Sequence, residues 1–360
     1  DGDSTGWLAA LTKQFKYPGI QSCAGDGLCS TSCPMQINTG EMIHDLRAQA
    51  LPKGSAGYKV GDFAANHLSA VKSALRPVLS AAGAAHAVIG DKATDAVGRG
   101  LSKLGMPMWS SAFPLAYYPH AIKTQPSELK VVYFPSCINQ TMGKSKGQST
   151  PLIDKMVALM EKASYEVIFP KNMKNLCCGT IWESKGMPDI ADRKAKELDD
   201  ALFEASNGGR YPVLCDQSPC LHRMRNTIKR VKLYEPVEFI YEYLAPHLRF
   251  VQTDEPVALH FTCSTRHMNL NDMFVALAGM CTTKVVVPEE VGCCGFAGDK
   301  GFTDPEVNRY ALRKLRKQLE AAGVKRGFSN SRTCEIGLTV NGGVPYQSIA
   351  YLVDECTIKK

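Results

Sequence analysis

Beyond residue 130 the chain alternates short apolar runs with longer amphipathic stretches, and the runs come in matched pairs. Val131-Val132-Tyr133-Phe134 leads into Pro135-Ser136-Cys137, and Val257-Ala258-Leu259-His260-Phe261 leads into Thr262-Cys263, with Met142 and Met268 each five residues past the cysteine. Runs this short, rich in β-branched and aromatic residues and closed by turn formers, predict strands. Each copy then offers a helix and a second strand, Glu166 to Phe169 and Lys284 to Val287, before reaching Cys177-Cys178-Gly179 and Cys293-Cys294-Gly295. Pro188 and Pro305 follow where prolines open helices, with Asp304 placed to cap the second. A third strand closes each copy. Val213-Leu214-Cys215-Asp216-Gln217-Ser218-Pro219-Cys220 aligns with Gly327-Phe328-Ser329-Asn330-Ser331-Arg332-Thr333-Cys334. This internal repeat of alternating strands and helices predicts an α/β fold class: two small pseudo-symmetric, cysteine-rich domains with their cysteines on loops at strand ends.

Ahead of the repeat the texture changes twice. Up to about residue 50 the chain holds Cys23, Cys29 and Cys33, then a helix signal in which Asn38 caps the N-terminus and Glu41 completes a capping box. Residues 51–125 lack cysteine, are rich in Ala, Gly and Ser, and predict a helical connecting region. The expected divisions are therefore 1–50, 51–125, 126–250 and 251–360.

A hydrophobic share of 44% and a charged share of 21% are those of an ordinary globular protein, and 360 residues suffice for two or three cores. No signal-peptide pattern is present and the chain opens on Asp1, which predicts a fragment or a processed product of a cytoplasmic protein. The net charge of +7 gathers in runs from Arg223 to Lys232 and from Arg309 to Lys317. Such runs are solvated helix faces or attract an acidic partner or anionic membrane face. Nucleic acid is excluded as a partner, because no aromatic residues interleave with them and no zinc-finger or RNA-binding signature accompanies them.

Fourteen cysteines, two pairs of them adjacent, are too sparse for a secreted disulfide scaffold. Neighbouring cysteines rarely bridge each other, so clustered thiols read as metal ligands. The register gathers Cys137, Cys177, Cys178 and Cys220 in one copy and Cys263, Cys293, Cys294 and Cys334 in the other, with Cys215 as a fifth candidate opposite Ser329. Four converging thiolates suit zinc or an iron–sulfur cluster. The glycine after each pair lets the backbone turn sharply enough for two neighbouring side chains to reach one site.

These motifs resemble the CCG domains of the heterodisulfide reductases and of the glycolate oxidase iron–sulfur subunit. The wording around Cys137, Cys220 and Cys334 is most similar to the C-terminal iron–sulfur part of FAD-linked D-lactate dehydrogenases. The resemblance implies an oxidoreductase in which FAD, on an upstream or partner domain, oxidises a D-2-hydroxy acid and electrons pass through this chain's clusters to a quinone or cytochrome. No flavin-binding motif is visible in these residues. The heterodisulfide reductase modules end in Cys-x-x-Cys, whereas here four residues separate Cys215 from Cys220 and Cys334 is followed by Gly337. Cubane and noncubane clusters thus both remain open. Cys23, Cys29 and Cys33-Pro34 match a ferredoxin run with Asp26 in place of its second cysteine, implying a partial ferredoxin-like domain with Asp26 as a ligand of a four-iron or three-iron cluster. In that family Cys33 serves a second cluster whose other ligands lie upstream.

Cys281 and Cys356 fall outside the register and read as buried small hydrophobes. His222, His260 and His267 stand near cluster cysteines but read as ordinary core or surface histidines. Residues 104–122 carry no formal charge, and Pro107, Pro114 and Pro119 forbid a spanning helix. Trp109, Phe113, Tyr117 and Tyr118, between Lys103 and Lys123, serve either a peripheral contact with the inner membrane or packing between domains. Two readings compete with electron relay: a CCG-type disulfide reductase and a zinc-bound docking protein.

Overall fold

The computed structural model describes residues 4–103, 107–145 and 147–360. The repeat is carried by two four-stranded parallel sheets. In the first, β1 (Lys130–Phe134), β2 (Glu166–Ile168), β3 (Val213–Cys215) and β4 (Leu233–Tyr234) lie in the order β2-β1-β3-β4. After β5 (Leu248–Phe250) comes the second sheet, in which β6 (Val257–Leu259), β7 (Val285–Val286), β8 (Arg326–Phe328) and β9 (Tyr346–Gln347) lie in the equivalent order β7-β6-β8-β9. Finally β10 (Thr357–Lys359) pairs antiparallel with β5, tying the end of one copy to the end of the other. The fold is α/β, as the alternating pattern predicts. Each sheet has a fourth strand beyond the expected three, only two residues long and so without a readable period.

Strand β1 is buried on both faces, and its two faces serve different cores. Val131 and Tyr133 join a large cluster that includes Met156 and Met160 from the helix Leu152–Lys162 and Leu259, Phe274 and Phe328 from the second copy. Val132 and Phe134 turn the other way, to Cys177, Cys178, Cys215 and Leu198. The same alternation therefore welds the two copies together and backs the cysteines.

The strand-end segments Gln217-Ser218 and Asn330-Ser331-Arg332 meet face to face at the junction. Ser218 N donates to Asn330 O at 3.0 Å, Gln217 Nε2 to Ser331 Oγ at 3.0 Å and Arg332 Nε to Asn139 Oδ1 at 3.0 Å.

Among the earlier elements, Asn38 caps the helix Thr39–Ala50 by accepting from Gly40 N at 3.0 Å. Glu41 bonds the Asn38 side-chain amide at 3.1 Å, so the capping box expected from the sequence is not the contact it makes. Residues 51–125 are helical only in their first part, as Ala56–Asn66 and Leu68–Lys103, the latter broken at Gly90 with φ 77° and ψ 171°. Of the uncharged stretch 104–122, residues 104–106 and the Lys103 side chain lie outside the described residues. Met108 and Phe113 pack on the second copy, Met108 N donating to Phe302 O at 2.6 Å and Phe113 lying on Phe302 with ring centroids 5.3 Å apart, whereas Leu115 N and Tyr117 N donate to Lys144 O at 2.9 Å and Thr141 O at 2.8 Å of the first copy. Tyr117 is buried while Tyr118 is exposed. No described helix is long and apolar enough to cross a membrane.

Candidate metal centres

Both quartets sit at the C-terminal edges of their sheets, where parallel strands release their chains into loops. Cys137 follows β1 and is held by Asp216, which follows β3 and accepts from Ser136 N at 2.9 Å and Tyr133 Oη at 2.7 Å. Gly179 makes the turn of the first cysteine pair at φ 89°, and a Cβ there would stand 2.4 Å from the Ala191 carbonyl. Gly295 does the same at φ 71°, with the Val307 carbonyl 2.9 Å from a built Cβ. The glycine reading is thus given a geometric cause: a left-handed backbone pressed against a helix.

In the first quartet the sulfurs form a row, Cys137–Cys177–Cys178–Cys220, with Cys137 and Cys177 at 4.0 Å. Hydrogen bonding along the row holds Cys137 and Cys178 below the ordinary thiol range and pushes Cys177 and Cys220 above it. The second quartet repeats the row as Cys263–Cys293–Cys294–Cys334, with Cys294 and Cys334 at 3.1 Å. Cys263 is pushed up by its bond with Cys293, by burial and by the Asp26 carboxylate nearby. Thiols that share protons in this way are a donor set that a soft metal centre fits, replacing the shared protons with metal–sulfur bonds. Cys215 is fully buried beneath the first row, its thiol directed at Gln217 O at 3.9 Å. At the equivalent place in the second copy, Ser329 meets His260 Nδ1 at 3.1 Å. Burial drives the His260 pKa down to about 3, so this imidazole is a neutral core group.

Cations and anions are distributed unequally between the centres. Lys72, from the long helix Leu68–Lys103, is buried beside the first row, donates to Gln140 Oε1 at 2.7 Å, and has its pKa lowered to about 8 by desolvation against the opposing pull of Cys137 and Cys177. Arg223 donates to the Cys178 carbonyl at 3.0 Å and pairs with Glu183 and Asp192. The basic run from Arg223 is therefore not simply a solvated face: its first member is only 5% exposed and clamps the cysteine turn. Neither Lys72 nor Arg223 carries a local signal in the sequence, since one lies in an alanine-rich helix and the other in a charge run.

Cys23, Cys29 and Cys33 stand outside these rows. The Cys29 thiol accepts from Thr39 Oγ1 at 3.1 Å and the Cys23 thiol from Gly25 N at 3.3 Å. Among the described residues, no three of Cys23, Asp26, Cys29 and Cys33 bring their ligand atoms within 4.8 Å of one another, and neither do any three sulfurs of either row, whose thiols meet only pairwise. Asp26 instead meets the second row, its carboxylate, Cys263 Sγ and Cys293 Sγ all lying within 4.8 Å of each other. His267 Nε2 donates to the Asp26 backbone carbonyl at 2.7 Å, and its ring lies near that of His222 with centroids 5.4 Å apart. Cys281 and Cys356 are both buried outside the rows, the Cys356 thiol donating to Cys281 O at 3.6 Å.

Paired α/β modules, each with a thiol row built round a Cys-Cys-Gly turn, define a class of metal-binding protein. Residues 131–225 and 257–339 match the cysteine-rich domain of the CCG family, so the chain carries that domain in two copies. It is 22% identical over 248 residues to lactate utilization protein A 1 of Bacillus mycoides (strain KBAB4), a match spanning 63% of this chain and 97% of the relative. Among solved structures, Picrophilus torridus aspartate racemase aligns at 8% identity and TM-score 0.28, over 64% of this chain and 95% of that one. An aspartate racemase homologue from Pyrococcus horikoshii OT3 aligns at 14% identity and TM-score 0.24, over 64% and 96%. Superpositions this loose carry no argument about fold or activity.

Proposed function

We propose that the chain is the iron–sulfur electron-relay part of a flavin-linked D-2-hydroxyacid dehydrogenase, with D-lactate as the substrate of the flavin part. The observation that carries this reading is the pair of equivalent four-thiol rows fixed on one interlocked scaffold, an arrangement suited to holding two one-electron carriers at a constant separation. The relative named for lactate utilization supports the choice of substrate class. Clusters bound there would supply reversible one-electron chemistry with little change in geometry. The chain's own residues would set the conditions: Cys137, Cys177, Cys178 and Cys220 hold the first centre, and Cys263, Cys293, Cys294 and Cys334 the second. Asp216 and the Cys-Cys-Gly turns fix the thiols, and the surrounding apolar core limits water. Electrons would enter from FAD on an upstream or partner domain and leave to a quinone or cytochrome, with docking at a membrane surface as one way to reach the acceptor.

The test is direct. Purified protein should be brown, carry iron and acid-labile sulfide, and have its clusters reduced by D-lactate when the flavin part is present. A colourless zinc protein would sink the relay reading, and rapid turnover of a disulfide substrate by this chain alone would replace it with disulfide reduction.

A further inference from the structure

We infer that Asp26 is a carboxylate ligand of the second centre, delivered across the molecule by the N-terminal loop. The inference rests on the reading of the second thiol row as a metal centre, and deepens it by adding a donor from outside the repeat.

The loop is built for this approach. Asp26 is flanked by Gly25 at φ 63° and Gly27 at φ 71°, both in the left-handed region. A Cβ on Gly25 would stand 2.4 Å from His44 Nε2, and one on Gly27 would stand 3.1 Å from Asn38 Nδ2 and 3.3 Å from His267 Nε2, so the loop passes closely between His44 on one side and Asn38 and His267 on the other. His267 then fixes the loop by donating to the Asp26 carbonyl at 2.7 Å. Because His267 ends the short helix that Cys263 begins, the same element that presents a thiol also holds the carboxylate's backbone. One carboxylate oxygen accepts from Leu28 N at 3.2 Å. A carboxylate offers roughly four lone-pair sites, so this bond leaves ample capacity for a metal.

The second row needs such a donor more than the first. Where the first copy has Cys215 beneath its row, the second has Ser329, already engaged with His260 at 3.1 Å. Asp26 reaches Cys263 and Cys293, the half-buried end of the row, whereas Cys294 and Cys334 lie buried at the other end. An oxygen ligand at that end is harder than a thiolate and binds iron less tightly, which makes the iron beside it the exchangeable one.

The experiment compares cluster-loaded full-length protein with Asp26→Asn, which keeps an oxygen to accept from Leu28 N while removing the negative charge. Cys334→Ser and Cys220→Ser identify, by what each abolishes, the EPR and Mössbauer signals of the second and first centres. The expected result is that Asp26→Asn alters the second-centre signal and raises its reduction potential, with the first-centre signal unchanged. A second-centre signal identical to that of the parent overturns the inference, whether the N-terminal cluster changes or nothing does. If Asp26→Asn does not retain iron, Asp26→Cys restores an anionic donor, and its second centre should be retained with an altered signal; loss of iron in Asp26→Cys as well overturns the inference. Should the parent hold zinc, the relay reading fails by itself. Asp26 is then judged by chelator stripping of the second site, expected to be at least about tenfold faster in Asp26→Asn, with equal rates overturning it.

Discussion

At the scale of single residues, the firmest expectations concern atoms that have no freedom to move. Gly179→Ala adds a methyl 2.4 Å from a helix carbonyl at a backbone φ of 89°, and Gly295→Ala meets a carbonyl at 2.9 Å at φ 71°. Each should cost about 2 kcal/mol or more in stability and reduce the metal content of its own centre, with the Gly179 change the more damaging; calorimetry and metal analysis of both variants check the order. Cys215→Ser should disturb the first centre alone, since the second already has serine at the equivalent place, and a spectrum altered at both centres would contradict this. The residues behind these expectations were readable from the sequence because a repeat exposes register: two copies of Cys-Cys-Gly say which cysteines correspond and why a glycine follows. The direction in which Asp26 faces was not readable. Its place in a ferredoxin-type run points to Cys23 and Cys29, while the contact it makes is with Cys263 and Cys293, far along the chain, and only the tertiary fold sets such a contact.

At the scale of elements, the helix Leu68–Lys103 shows what patterning leaves out. Its alanine-rich stretch reads as a connector, and its helicity follows from composition, but its service to the first centre depends on one lysine. Lys72 is 3% exposed and its charge lies beside Cys137 and Cys177. Lys72→Met, similar in length and uncharged, should lower the reduction potential of the first centre by on the order of 50 mV, the effect of one charge acting through a partly screened interior; redox titration followed by EPR measures it, and an unchanged potential would remove Lys72 from the electrostatics of the site. The two-residue strands Leu233–Tyr234 and Tyr346–Gln347 have no sequence signal for a related reason. A strand this short has no period, and it exists because a neighbouring strand offers a free edge.

At the scale of the whole molecule, the two copies behave as one body because their strand-end loops share buried polar groups. Glu235, fully buried in the first copy, accepts from Ser218 Oγ at 2.7 Å and from Asn330 Nδ2 of the second copy at 2.8 Å. Burial raises its pKa to about 7, opposed by these bonds and by Val237 N, with Glu238 adding to the rise. The folded state therefore holds a proton that the unfolded chain releases at lower pH, and this contribution is lost as pH rises through about 7. Thermal stability should fall between about pH 5 and about pH 8 by on the order of 1–3 kcal/mol more in the parent than in Glu235→Gln; parallel pH profiles would refute the assignment. Architecture of this kind was legible as two related halves, but the seam between them was not, because the groups that form it are polar residues with no periodic signature. The thiol rows carry one more implication, for how such a protein must be made and handled. Cys294 and Cys334 hold their sulfurs 3.1 Å apart. Two such thiols, when not bound to metal, would close a covalent S–S bond on exposure to dioxygen or peroxide, the thiols being oxidised as the oxidant is reduced. Maturation becomes a race between loading and oxidation, and freshly translated chains should accept a full complement of metal under anaerobic conditions while aerated ones require prior treatment with a reductant.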